Sequence, residues 1–337
     1  MIRIRSFLVI AVALPLVAVA GAAVASTTPG TASIGVTTRD DTVTVAQQKA
    51  LDMYWTPARM RLAGALVPEI TPIPPDDHTP DDHVVLPPRA VDTGSVWTHG
   101  TAVVATVGRL FFTFSDGYDG SCSATSVQAA NRSTIVTAAH CFRGTGNPKD
   151  PDTWNHNVYF VPGYRNGTKP YGGFSIRTMF TSSPWDTGTD SSDVAVAGFD
   201  GAVATVNPRR SDGSRLADAV GAQSIAFRAP VAGEFVHAFG YPHVQSGTQW
   251  QGARMVHCAG PVQAGPAAPL LYGMPCEMAH GASGGPHFAA FDPATGRGTV
   301  VGVTTTGSDL AGGAEERAYA TRLGAAAQTL YQQASQR

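Results

Sequence analysis

Charged side chains are scarce in this sequence. They make up 14% of its 337 residues, against about 25% in ordinary soluble domains. The 25 acidic and 23 basic groups leave a net charge of -2, so the basic surface that a polyanion requires is missing and a nucleic-acid partner is excluded. No C-x-x-C pair occurs, which removes zinc ribbons and thioredoxin-type redox sites. Outside the Asp-flanked pair His78 and His83, the histidines are His99, His140, His156, His237, His243, His257, His280 and His287. None stands in an H-E-x-x-H spacing, so metallopeptidase chemistry has no ligand set and no metal is expected.

What the chain has in quantity is punctuation. Thirty-seven glycines and 24 prolines suit short strands joined by tight turns. Strand-like runs occur at Ala102–Gly108, Leu110–Phe114, Thr134–Thr137, Val158–Val161, Phe235–Phe239 and Thr299–Thr304, separated by Gly, Pro, Asn and Asp clusters. This texture predicts an all-β sandwich or barrels. One helix stands out near the end. Leu323, Ala326, Ala327, Leu330, Tyr331 and Ala334 form one apolar stripe at i, i+3, i+4, i+7, i+8 and i+11, suited to covering a barrel surface.

The N-terminus carries Arg3 and Arg5, then an apolar run from Phe7 to about Val24, closing on Ala23-Val24-Ala25 before Ser26. This is the pattern of a secretory signal peptide over residues 1–25. The run is nearly long enough to anchor in a membrane, but Pro15 and the small-residue exit favour cleavage. Residues 26–95 read as a leader or pro-segment. Leu51, Tyr54, Trp55, Ala58, Leu62 and Leu66 recur at helical spacing, with Pro57 as a start or a kink. Such a piece either docks as a removable pro-segment or packs permanently, and the sequence does not separate the two. Between Pro68 and Pro88, Asp76-Asp77-His78 and Asp81-Asp82-His83 offer metal-ligand types, but with no apolar scaffold to fix them they read as a solvated linker. Four cysteines in an exported chain suggest two disulfides, and sequence proximity favours Cys122–Cys141 and Cys258–Cys276.

Three local sequences carry chemistry: Thr137-Ala-Ala-His-Cys141, Ser191-Ser-Asp-Val-Ala-Val196 and His280-Gly-Ala-Ser-Gly-Gly-Pro286. Singly each has a bland reading, as a core histidine, a turn-capping aspartate and a glycine loop. Jointly they supply a hydroxyl nucleophile, an imidazole whose pKa lies near the working pH, and a carboxylate to orient it. In the order His140, Asp193, Ser283, they resemble the trypsin-like serine peptidases of secreted bacterial type. Gly281-Ala-Ser-Gly-Gly285 also satisfies the G-x-S-x-G pattern of an unrelated esterase fold, but Pro286 and a β-like run follow instead of a helix.

The resemblance implies a peptidase domain over residues 96–337, built as two six-stranded Greek-key barrels with a C-terminal helix. It further implies Ser283 as nucleophile, His140 as general base, Asp193 as its orienting acid, and the N–H groups of Gly281 and Ser283 as an oxyanion hole. No cofactor is expected. A protein or peptide is the implied substrate, and the exported product is expected to be a monomer without stable membrane association.

The sequence departs from the family at Ala282, where most members carry an aspartate that pairs with a freed N-terminal amine. The oxyanion loop must then be held by packing and by the Cys258–Cys276 bridge. The departure also admits a catalytically silent, protease-shaped binding protein as the alternative function. Glu277, Thr304, Thr305 and Gly307 fall near the positions of the primary substrate pocket. Thr304 stands where glutamyl-specific members carry a histidine, which argues against a preference for acidic residues. His280 reads equally well as an oxyanion-loop residue or as a solvent-facing one.

Overall fold

The computed structural model describes residues 34–64, 94–144, 154–188, 194–243, 250–265, 270–276, 278, 280–306 and 318–337. The signal segment, the Asp/His-rich linker, Asp193, Glu277 and Gly307 lie outside the described residues.

The N-terminal part opens with strand β1 (Val36–Asp40) and two short helices, α1 (Val45–Tyr54) and α2 (Pro57–Leu62). Helix α1 starts at a reciprocal cap, in which Thr44 Oγ1 accepts from Gln47 N–H and Gln47 Oε1 accepts from Thr44 N–H. At α2, Thr56 caps and Pro57 takes the first turn, where its missing N–H costs nothing. Pro57 is therefore a start and not a kink. Trp55 and Met60 have no exposed surface, and the Trp55 indole donates to the Asn157 carbonyl at 2.8 Å.

After β2 (Ser95–Val96) comes α3 (Ala102–Thr106), a short helix where the β-branched run predicts a strand. Tertiary partners override the propensity here. Thr106 Oγ1 bonds back to the Ala102 carbonyl at 3.0 Å, receives the Gln223 amide at 2.9 Å, and Val103 is fully buried.

The first barrel contains β3 (Val107–Thr113), β4 (Asp119–Val127), β5 (Thr134–Ala138), β6 (His156–Pro162), β7 (Phe174–Ser182) and β8 (Gly201–Val206). The order β7-β6-β3-β4-β5-β8 closes through a β7–β8 pairing, so this six-stranded ring has no free edge. Strand β6 pairs with only the first residues of β7, and β1 pairs antiparallel along the remainder, Val36 opposite Ser182 through Asp40 opposite Thr178. Short helices α4 (Ser183–Asp186) and α5 (Val194–Ala197) lie between β7 and β8.

Helix α6 (Leu216–Val220) leads to the second half. It contains β9 (Ser224–Ile225), β10 (Phe235–Gly240), β11 (Val256–Pro261), β12 (Gln263–Ala264), β13 (Leu271–Met274), β14 (Pro286–Asp292), β15 (Arg297–Thr306) and β16 (Ala318–Arg322). The order β12-β13-β16-β15-β14-β10-β11-β2 does not close among the described residues, so the second of the two expected barrels is a half-barrel. Helix α7 (Ala325–Ala334) follows and turns Ala327, Leu330 and Ala334 inward. Leu330 and Ala334 pack with Phe180 of β7 and Val203 of β8, so the helix covers the first barrel. Both disulfides form as expected, Cys122–Cys141 and Cys258–Cys276.

The seam between the halves is apolar. Val107, Phe111 and Val136 from one side share a cluster with Phe239, Tyr241, Phe288, Val300 and Val303 from the other. Trp55 and Met60 of the N-terminal part belong to that same cluster.

Candidate active site

Strand β5 ends at Ala138 and the chain tightens into a 3₁₀ turn, Ala139–Cys141, that lifts His140 out of the barrel wall. Ala138 pairs with Gly201, so the residue before β8 lies beside that turn. This residue is Asp200. Its Oδ1 accepts from the His140 backbone N–H at 2.8 Å and its Oδ2 meets His140 Nδ1 at 2.7 Å, while its own carbonyl accepts from Ala139 N–H at 2.8 Å. The hydroxyl of Thr305, in β15, donates to the same Oδ2 at 2.5 Å. The Asp200 side chain is 1% exposed and that of His140 is 30% exposed, so the carboxylate is hidden beside a partly exposed ring.

The expected partner of His140 was Asp193, which lies outside the described residues; the carboxylate found on Nδ1 is Asp200, 60 residues along the chain. Both aspartates precede small and apolar residues. The difference is that Ala202-Val-Ala-Thr-Val206 continues as a full strand after Asp200, whereas Asp193 is followed by α5. A carboxylate fixed at the start of a barrel strand is the signal that would have found it.

A carboxylate on Nδ1 keeps the proton there and leaves Nε2 with its lone pair. Burial disfavours the imidazolium of His140, but the charge and hydrogen bond of Asp200 outweigh this, and the pKa lies above the ordinary imidazole value.

Ser283 sits in the loop before β14, half-buried. Its carbonyl accepts from Ser123 N–H at 2.7 Å, so β4 of the first barrel holds the loop of the second half. Ser123 is used three more times: its carbonyl accepts from Thr137 Oγ1, its Oγ accepts from Tyr241 N–H, and its Oγ–H donates to the Gly281 carbonyl. Gly284 has φ +76° and lies against β5: an added Cβ would come 2.0 Å from Thr137 Oγ1 and 2.8 Å from Ala138 N. The Ser283 loop thus packs on the strand end that carries His140, and only glycine permits that approach. On its other side Gly284 N–H donates to the Thr304 carbonyl, and Thr304 N–H donates to that of Gly285.

Gly281 has φ +90°, and Ala282 is fully buried in the place where the family carries its activating aspartate. His280 is exposed. Of the pocket candidates, Glu277 and Gly307 lie outside the described residues. Thr304 is 2% exposed with its hydroxyl 3.2 Å from His287 Nε2, and Thr305 turns its hydroxyl to Asp200. Sequence reasoning gave neither Ser123 nor Thr305 these tasks.

No protein-family model matches the sequence, and no curated protein matches it. Solved structures do. The protease Anisep from Arthrobacter nicotinovorans is 30% identical, with 70% of this chain aligned to 98% of that one at a TM-score of 0.59. The chain belongs to the trypsin-like serine endopeptidases. This peptidase is also similar to a thermostable serine protease, AL20, from an extremophilic microorganism, at 28% identity over 70% of this chain and 99% of that one, TM-score 0.58. A Glu endopeptidase is 17% identical over 74% and 99% of the two chains, TM-score 0.55, and its likeness bears on the fold alone.

Proposed function

We propose that this peptidase is exported and cleaves peptide bonds in proteins or peptides through an acyl-enzyme on Ser283, with His140 as general base and Asp200 as the acid that orients it. The observation that carries the reading is the two-point grip of Asp200 on His140, at the backbone N–H and at Nδ1. It leaves Nε2 as the acceptor that a serine hydroxyl needs when it attacks a carbonyl.

In that reaction Nε2 takes the Ser283 proton as Oγ adds to the scissile carbonyl, and the developing imidazolium is stabilised by the Asp200 charge. The N–H groups of Gly281 and Ser283 receive the oxyanion, each worth about 3–4 kcal/mol of barrier. The imidazolium then protonates the departing amine. Water, activated by the same nitrogen, releases the acyl group and restores the serine. Export is supported by the signal-like residues 1–25 and by two disulfides, which persist in oxidising compartments.

A fluorophosphonate probe tests the reading. Labelling of the folded protein that disappears in Ser283→Ala and falls sharply in His140→Ala and Asp200→Asn is the expected result. A folded protein that takes no label would instead be the silent, protease-shaped binder.

A further inference from the structure

Arg109, in β3, has no exposed surface. Its five N–H groups meet five acceptors: Nε donates to Ser121 Oγ (3.0 Å), Nη1 to the carbonyls of Met60 (3.2 Å) and Gly252 (3.1 Å), and Nη2 to the Ala63 carbonyl (2.6 Å) and to His243 Nε2 (3.0 Å). Two of the five come from the end of α2, in the segment that the sequence left undecided between removable and permanent. Burial draws the guanidinium pKa down to about 10, so it stays charged at neutral pH.

A guanidinium can only donate, so His243 Nε2 must accept, and the ring is neutral with its proton on Nδ1. Ser121 Oγ lies 2.8 Å from the same nitrogen and supplies its hydrogen there. Burial, reinforced by Arg109 and His280, pushes the His243 pKa down to about 3.

The ring is pressed between two glycines. A Cβ on Gly64, at the end of the N-terminal segment, would lie 2.7 Å from Nε2, and a Cβ on Gly281 would lie 2.3 Å from Cδ2. The backbone N–H of His243 donates to the His280 carbonyl at 2.6 Å. In a trans peptide the carbonyl and the N–H point in opposite directions. Fixing the His280 carbonyl on His243 therefore directs the Gly281 N–H away from it, and a flip of that peptide would have to break this bond.

We propose that Arg109 and His243 are positioning residues that transmit the packing of residues 34–64 to the His280–Gly281 peptide, so that this segment is a permanent brace of the oxyanion loop and not a removable inhibitor. The brace does the work that a buried carboxylate at position 282 would do, and Ala282 has none. The inference rests on the proposed role of the Gly281 N–H, but the bracing itself is measurable without turnover.

The experiment uses the full exported chain. In His243→Ala, hydrogen exchange across residues 278–285, read by mass spectrometry, should accelerate about tenfold or more, while kcat falls about 10²-fold, the loss that follows removal of an oxyanion donor, and KM changes little. His243→Gln returns an oxygen acceptor to Arg109 and Ser121 and should recover most of both. Gly64→Ala, far along the chain from Ser283, should shift both in the same direction. In a third arm, a protease site is placed within residues 65–93 and cut; residues 34–64 should remain bound on gel filtration, with kcat unchanged. Unchanged loop exchange in His243→Ala, or release of the segment with exchange and kcat both intact, overturns the brace. A wild-type protein without turnover would sink the nucleophile assignment, while the exchange measurement would still decide the brace.

Discussion

Asp200 has 1% of its side chain exposed yet three hydrogen bonds on its carboxylate, from the His140 N–H, the His140 ring and Thr305. A buried carboxylate so supplied has its polar atoms satisfied and its direction fixed. Asp200→Asn should therefore lower kcat by about 10⁴-fold, the loss known for this substitution in a Ser-His-Asp triad, whereas Asp193→Asn should leave peptide hydrolysis within a few-fold of wild type. Equal losses in the two would remove the assignment. Ser283→Ala should cost about 10⁶-fold in kcat with the melting temperature retained. The pH profile has a definite sign. In the proposed mechanism His140 works as the unprotonated base and its pKa is raised, so activity should be lost as pH falls through a midpoint above the ordinary imidazole value of about 6.5. In Asp200→Asn the midpoint should move down, because the charge that raises it is gone. His140 and Ser283, the base and nucleophile proposed above, each sit in a distinctive local sequence. The carboxylate has no such signature: two Asp–small–apolar runs stand seven residues apart, and it is the pairing of β5 with β8 that puts Asp200 beside His140.

At the scale of elements, periodicity was readable where one face meets the core and misleading where a segment is enclosed. Helix α7 shows its stripe, and Leu330, fully buried with Phe180 and Val203, is its anchor. Leu330→Ala should cost about 2–5 kcal/mol of stability, measured by denaturant unfolding, with little change in kcat. Residues 102–106 look like a strand by composition, yet bonds to Gln223 and within the turn itself make them α3. The cysteine pairings followed from proximity, since each links neighbouring segments at separations of 19 and 18 residues. Loss of each bridge on reduction should lower stability by about 2–4 kcal/mol; an unchanged melting temperature would count against a structural role for them.

At the scale of the whole molecule, the resemblance gave two barrels, and the described residues form one closed ring and one half-barrel. What no motif could give is the place of residues 34–64. Their helical spacing was visible, but whether they leave or stay depends on partners far away in the chain: β7 for β1, Asn157 for Trp55, and Arg109 for the carbonyls of Met60 and Ala63. Distances of this kind are set by folding and have no local sequence signature.

The strand β1 is held to β7 by backbone hydrogen bonds, by the Thr178 hydroxyl donating to Asp40 Oδ1 and by packing, with no covalent link, and all four cysteines are spent on bridges elsewhere. A nick within residues 65–93, outside the loop that the Cys122–Cys141 bridge closes, would thus leave both pieces together in a native mass measurement, heavier by one water, and yet split the protein under detergent and heat. Stepwise sequencing of such nicked, active material should return two amino termini in equal amounts, and a preparation trimmed to the larger fragment would be missing part of the working enzyme.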